Sequence, residues 1–266
     1  MNRIENAFQN KPIFMPYFPL GYPDLYTSIN VIEALANNGA DLIEVGLSFS
    51  DPLADGPVVQ KATQIALEKG ITIKKSLEAV QGLRDRGVDI PLVLMGYYNP
   101  MLAYGLEKFI CESVDAGVDG FIVPDLPTEE SAEFKEVLAG MDSHSSVPLI
   151  QMLAPTSPPE RMEMIARNAK GFIYLVSVTG VTGERKSISE GLGNLIFRVR
   201  EHTSVPVCVG FGISTPEQAK EVGQMADGVI VGSACVKTIG GSENPVETAK
   251  QFATKFRDAL RGDIRQ

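Results

Sequence analysis

Eight short apolar runs recur along this chain at barrel-like spacing: Ile13–Phe18, Leu42–Leu47, Leu92–Met95, Gly120–Val123, Leu149–Leu153, Phe172–Val176, Val207–Val209 and Gly228–Val231. They are continuous rather than alternating, the pattern of parallel strands covered on both faces. Helical stripes fill the gaps, among them Ile29, Ile32, Leu35 and Ala36; Phe134, Val137 and Leu138; and Val246, Ala249, Phe252, Ala253 and Phe256. Asn38-Gly39-Ala40-Asp41, Arg86-Gly87-Val88-Asp89 and Ala116-Gly117-Val118-Asp119 each set a C-cap glycine ahead of a strand. Ile90-Pro91, Val147-Pro148 and Val205-Pro206 put proline at strand entrances, where its missing N–H can be spared. Strand-then-helix units with no linker-like stretch predict an α/β fold, one closed (β/α)8 TIM barrel forming a single domain over 1–266. Met1–Asn10 is expected to be a short N-terminal extra helix at the barrel bottom. An open doubly wound sheet is the alternative, but Gly210-Phe211-Gly212 runs on into Ile213-Ser214-Thr215 and breaks the dinucleotide fingerprint.

Composition narrows the function classes. A chain of 266 residues with 44% apolar content can build one large core. Its net charge of −9 argues against nucleic acid or an anionic membrane as main partner. No long uncharged apolar run predicts a transmembrane helix, and the mixed, polar Met1–Lys11 does not read as a secretory signal. Cys111, Cys208 and Cys235 are odd in number and sit in largely apolar contexts, which predicts free thiols in a reducing cytoplasm. His144 and His202, expected at solvated positions, are the only histidines, a scarcity that disfavours metal sites and Ser-His-Asp catalysis. Acid–base chemistry here has to lean on carboxylates, lysine or tyrosine.

Glu44 interrupts an apolar strand, where an ionised carboxylate is costly unless it is paired or its pKa rises. Asp55 follows in the turn-rich segment Ser48–Pro57, which can fold back over the strand end. Two carboxylates in unlike settings suit acid–base work. The other reading makes Glu44 half of a buried ion pair and Asp51 and Asp55 turn-formers, and spacing alone leaves both open. In a parallel barrel the chemistry lies where the loops after the strands converge. The sixth such loop, 179–186, is long enough to cover a ligand and mobile by composition. Gly212 and Gly232, after strands seven and eight, let backbone N–H groups approach a phosphate, with Ser233 adding a hydroxyl at a helix start. Each glycine alone reads equally as a tight turn. Tyr174 either lines a pocket or fills the barrel. Phe18, Met95, Ile122, Phe211 and Ile230 are core by default.

The stretch Glu44-Val45-Gly46 with Phe49-Ser50-Asp51-Pro52-Leu53-Ala54-Asp55-Gly56-Pro57 closely resembles the signature of the tryptophan synthase alpha subunit family. Tyr97-Tyr98-Asn99-Pro100, Val123-Pro124-Asp125-Leu126-Pro127, Ala154-Pro155-Thr156, Gly180-Val181-Thr182-Gly183, Gly210-Phe211-Gly212 and Val231-Gly232-Ser233-Ala234 fit the same family in order. Ser48 stands where the family usually has proline, and Pro19 where it usually has threonine or a similar residue. The resemblance implies retro-aldol cleavage of indole-3-glycerol phosphate to indole and glyceraldehyde 3-phosphate, with no metal or cofactor on this chain. It implies Glu44 as proton shuttle and Asp55 as the anion that accepts the indole N–H. Gly183, Phe211, Gly212, Gly232 and Ser233 then match a phosphate cradle, Thr182 a brace for Asp55, and Met95, Ile122, Phe211 and Ile230 the surround of the indole ring. The implied partner is a pyridoxal-phosphate (PLP) beta subunit in an alpha2beta2 heterotetramer, met by Pro52, Leu53 and Asn99. Other readings are a free-standing lyase, a cleavage-deficient activator of the beta subunit, and another phosphate-binding barrel such as a sugar-phosphate isomerase. The last leaves Ser50–Pro57 unexplained.

Overall fold

A computed structural model describes residues 2–141, 147–176, 185–210 and 212–262, with the side chains of 185–190 left aside. Eight strands close into a barrel in chain order, every neighbouring pair parallel: β1 (Ile13–Pro19), β2 (Ile43–Gly46), β3 (Leu92–Met95), β4 (Gly120–Ile122), β5 (Leu149–Leu153), β6 (Ile173–Val176), β7 (Val207–Gly210) and β8 (Gly228–Val231). The expected (β/α)8 architecture is therefore present, with strand limits shifted by at most a residue or so.

The helices are more numerous than one per strand. A short α1 (Arg3–Ala7) leads in, and α2 (Leu25–Asn37) follows β1. β2 is followed by α3 (Pro57–Glu68) and α4 (Ile73–Asp85), and β3 by α5 (Tyr98–Tyr104) and α6 (Leu106–Asp115). Single helices α7 (Ala132–Ala139), α8 (Pro159–Asn168), α9 (Arg185–Arg200) and α10 (Pro216–Gly223) follow β4 to β7, and α11 (Ser233–Gly240) and α12 (Pro245–Arg261) follow β8. The doubling after β3 has a local cause: Gly105, at φ +94°, caps the end of α5 and the start of α6 at once. The predicted C-cap at Gly117 forms a Schellman pair, with Gly117 N–H on Val114 O at 2.9 Å and Val118 N–H on Ser113 O at 3.0 Å. The strand-entrance prolines keep their carbonyls in the ladder: Ile43, Phe121 and Ile173 donate to Pro91, Pro148 and Pro206.

Alternation along each strand divides the core into two layers. Outward residues meet the helices, as where Phe14 stacks on Phe256 at 5.2 Å and Phe121 meets Phe134 edge-on at 5.4 Å. Inward residues fill the barrel, among them Tyr17 and its register partner Glu44. The barrel bottom is closed by α1, whose Ile4 is buried, and by Phe8 against Phe172. Cys208 and Cys235 are buried free thiols and Cys111 a half-buried one. His202 is half-buried rather than solvated, drawn in at the end of α9 by the turn in which its N–H bonds to Val199 O, and His144 lies outside the described residues.

Three aspartates tie the bottom together by one device. Asp41, Asp119 and Asp227 stand just before β2, β4 and β8, and each accepts a backbone N–H from the preceding strand: Phe14 (2.8 Å), Leu92 (2.8 Å) and Val207 (3.0 Å). Each also takes a basic side chain. Asp41 pairs with Arg261, Asp119 with Arg84 and Arg3, and Asp227 with Lys11 at 2.7 Å and Arg200 at 2.9 Å. The Arg84–Asp119 pair is the most enclosed, with side chains 10% and 11% exposed. Removing one partner of a buried pair leaves the other charge uncompensated. Asp119→Ala should therefore cost about 3–5 kcal/mol, measured as a shift in the urea unfolding midpoint. A loss below about 1 kcal/mol would mean that the pair behaves as a surface one.

Candidate active site

Glu44 lies inside the barrel on β2, 1% exposed, and its Oε1 is buried with no hydrogen-bond partner. Burial, and secondarily the nearby Asp55 carboxylate, push its pKa up to about 8. Asp55 sits in the turn between β2 and α3, its N–H on Pro52 O at 3.1 Å. Burial raises the Asp55 carboxyl too, against the opposing effect of a hydrogen bond from the Tyr97 hydroxyl. That hydroxyl also accepts the Ala54 N–H at 3.0 Å, and the Tyr97 ring lies 5.4 Å from Phe49. One phenol, at the N-cap of α5, thus holds the Asp55 end of the turn by two hydrogen bonds and packs its ring against Phe49 near the start. Asp51 is exposed and accepts from the Ser50 hydroxyl, as a turn-former does. Neither carboxylate has a basic partner among the described residues, so the buried-ion-pair reading of Glu44 finds no support.

Two glycines make space for two tyrosines beside Glu44. A Cβ on Gly46 would stand 2.3 Å from the Tyr17 Oη, and one on Gly210 would stand 2.5 Å from the Tyr174 Oη. Each ring leans from its own strand over the bare backbone of the next. Burial and the two carboxylates hold both phenols well above their ordinary pKa, so both stay protonated.

Above these residues opens a cavity of about 140 Å³. It gathers Glu44, Asp55, Met95, Tyr174 and Ile230 with Gly212, Gly232 and Ser233. The end of the cavity at Gly212, Gly232 and Ser233 presents mainly backbone. The helices α2, α4, α10 and α12 carry side-chain caps from Asp24, Thr72, Thr215 and Asn244, but the N-cap of α11 is Gly232, which has none to give. The first-turn N–H groups of a helix have no intrahelical acceptor, and the dipole adds positive potential there. Ser233 and Ala234 present that first turn to the cavity.

Not every expected residue arrives there. Ile122 is fully buried in β4 and does not line the cavity. Thr182, Gly183 and Phe211, with most of the sixth loop, lie outside the described residues. Pro52 and Leu53 border an open groove with Phe49 and Lys61, Leu53 being 92% exposed, and Asn99 is exposed on α5. Ser48 Oγ is buried without a partner, so the serine gains no hydrogen bond at that position. Sequence reasoning missed Tyr17 as a cavity residue and Tyr97 as the anchor of Asp55. The signal for Tyr17 was Gly46, a glycine in the next strand two residues beyond Glu44. Tyr97 stood in a motif already singled out, with no role assigned.

The profile described as "Tryptophan synthase alpha chain" matches residues 4–261. The tryptophan synthase alpha chain of Chloroflexus aggregans is 47% identical over 241 residues, 89% of each chain. That of Geobacter sulfurreducens is 46% identical over 269 residues, 99% of each. Among solved structures, a chain from Aquifex aeolicus superposes with a TM-score of 0.88 at 39% identity, covering 98% of this chain and all of that one. Tryptophan synthase from M. tuberculosis in an aminoacrylate-bound form gives 0.86 at 31% identity, covering 98% and 100%.

The site also sets a pH dependence of stability. The Glu44 carboxyl titrates near 8 in the folded chain against 4.5 for an ordinary glutamate. The folded state binds that proton more tightly, so the stability it supplies is complete below about 4.5 and is lost as pH rises through about 8. Between about pH 5 and pH 9 the wild-type Tm should fall relative to that of Glu44→Gln. Parallel curves would show that the carboxyl is solvated.

Proposed function

The chain belongs to the tryptophan synthase alpha chain family, a lyase that cleaves indole-3-glycerol phosphate to indole and glyceraldehyde 3-phosphate, and from this we propose how its residues divide that reaction. The observation that carries the reading is a buried carboxyl without a partner, its pKa pushed up by burial, that shares a cavity lining with a second carboxyl. At neutral pH Glu44 is protonated, and it gives its proton to indole C3, turning a poor leaving group into an indolenine that can depart. Asp55 accepts the indole N–H and stabilises the positive charge that develops on the ring. As the bond from C3 to the glycerol chain breaks, the Glu44 carboxylate takes the proton of the adjacent hydroxyl, which becomes the aldehyde. Glu44 ends as it began. Gly212, Gly232 and Ser233 hold the phosphate through backbone donors and one hydroxyl, while Met95, Tyr174 and Ile230 flank the ring. Thr182, Gly183, Phe211 and Ile122 keep the roles that the family signature implies.

The chain needs no cofactor of its own in this reading. It docks through Pro52, Leu53 and Asn99 on a PLP-bearing beta subunit as an alpha2beta2 assembly in the cytoplasm. The exposed Leu53 and the groove beside it support that docking face, as does the likeness to tryptophan synthase of M. tuberculosis. No helix among the described residues is long and apolar enough to cross a membrane.

Steady-state release of indole from indole-3-glycerol phosphate tests the assignment. Glu44→Gln should lower kcat about 10²–10⁴-fold, as loss of a general acid–base does, while still binding a phosphate-bearing analogue. Asp55→Asn should lower kcat about 10²–10³-fold, and a change confined to KM would make Asp55 a ground-state binder instead.

The phosphate end is tested separately. A Cβ on Gly232 would meet nothing closer than the Tyr17 Cβ at 3.8 Å, so a side chain there fits the fold and intrudes on the cradle alone. Gly212, at φ +80°, offers no such clean substitution. Gly232→Val should weaken glyceraldehyde 3-phosphate binding about 10-fold or more and leave indole binding nearly unchanged, measured by calorimetry. Equal losses for both ligands would place the damage in the barrel top at large.

A further inference from the structure

Tyr17 has no part in the reaction as divided above, yet its ring runs the length of the site. At its base, Tyr17 Cβ is 3.8 Å from where a Gly232 Cβ would stand, beside the phosphate cradle. At its tip, the hydroxyl fills the space left by Gly46 on β2, two residues beyond Glu44. Tyr17 is also the register partner of Glu44 across the β1–β2 ladder. A substrate with its phosphate at Gly232 and its indole at Asp55 must lay the hydroxylated chain that joins them along this ring. Tyr174, the other phenol of the cavity, tips toward Gly210 on β7, away from β2.

We infer that the Tyr17 hydroxyl donates a hydrogen bond to the substrate oxygen next to the indole, the one that becomes the aldehyde, and so selects for a hydroxylated chain. The reacting oxygen needs a donor when Glu44 removes its proton, because negative charge then gathers on it. A protein donor already aimed at that position stabilises the transition state more than the ground state. Burial and the two carboxylates keep the phenol protonated, so it serves as a donor and not as a base. Glu44 Oε1, buried without a protein hydrogen-bond partner, is left to deal with the hydroxyl proton itself.

This inference rests on the division of labour proposed above, and the test separates the two. Tyr17→Phe keeps the ring that fills the barrel and removes only the oxygen. Its kcat/KM for indole-3-glycerol phosphate should fall about 10²-fold, chiefly in kcat. Its Kd for indole-3-propanol phosphate, which lacks the chain hydroxyls, should stay within about 2-fold of wild type. The Tm of the variant is measured alongside, so that a loss of fold is seen as such. Unchanged turnover, or an equal weakening of both ligands, overturns the role of the hydroxyl while leaving Glu44 and Asp55 in place. A wild-type chain that releases no indole overturns the underlying reading instead.

Discussion

A carboxyl enclosed in a parallel barrel loses most of its hydration and here has no basic side chain to stabilise its anion, and the site is organised around that deficit. Glu44 reaches this state because β2 is paired on both sides, by β1 and β3, and its inward side chain meets apolar residues, two neutral phenols and the Asp55 carboxyl rather than a cation. The cost is relieved by holding a proton up to about pH 8 rather than by an ion pair. Closure of the barrel, the bare backbone of Gly46 and Gly210, and the placement of Tyr17 and Tyr174 over them enclose the Glu44 side chain.

The two ends of the barrel handle charge in opposite ways. At the bottom, Asp41, Asp119 and Asp227 are each satisfied twice, by a strand N–H and by a basic side chain, so their charges lock neighbouring strands together. At the top, Glu44 and Asp55 have no cation among the described residues, which is what their proposed acid–base roles need. The difference follows from topology. Chain turns at the bottom bring basic residues such as Arg3, Lys11 and Arg261 close to the strand starts, while the segment after β2 at the top, Leu47–Gly56, contains no basic residue.

How far this could be read in advance depends on what each residue advertises. Unbroken apolar runs announced the parallel strands, because only a sheet covered on both faces tolerates them. Glu44 stood out for the converse reason, as the one carboxylate inside such a run. Tyr17 did not, since an aromatic in a buried strand looks the same whether it faces helices, as Phe18 does beside Tyr22, or the cavity. Parity along β1 separates the two, but nothing in the sequence fixes which parity faces in. Ile122 marks a different limit: the family signature ties it to the indole ring, while in β4 it is fully buried and stands off the lining of the cavity. The aspartates of the barrel bottom read as turn residues, because their partners lie far off in sequence: Arg84 is 35 residues from Asp119, and Lys11 is 216 from Asp227.

In the proposed division of labour, a phosphate cradle made of backbone suits a neighbouring acid that must stay protonated. A lysine or arginine in the lining would bind phosphate as well, but its field would favour the Glu44 anion and draw the pKa back toward that of an ordinary glutamate. Helix-terminal N–H groups bind the anion through partial charges that fall off within a turn, so they reach the phosphate without stabilising a carboxylate deeper in the barrel. The described lining accordingly contains no basic side chain. On that reading a bound phosphate, negative like Asp55, would push the Glu44 carboxyl further toward its protonated form. Substrate binding thereby reinforces the acid it is about to use. The balance tips only when the proton moves to the ring: the indole becomes cationic, Asp55 is then paired with it, and the newly formed Glu44 anion has a positive neighbour and a hydroxyl proton within reach.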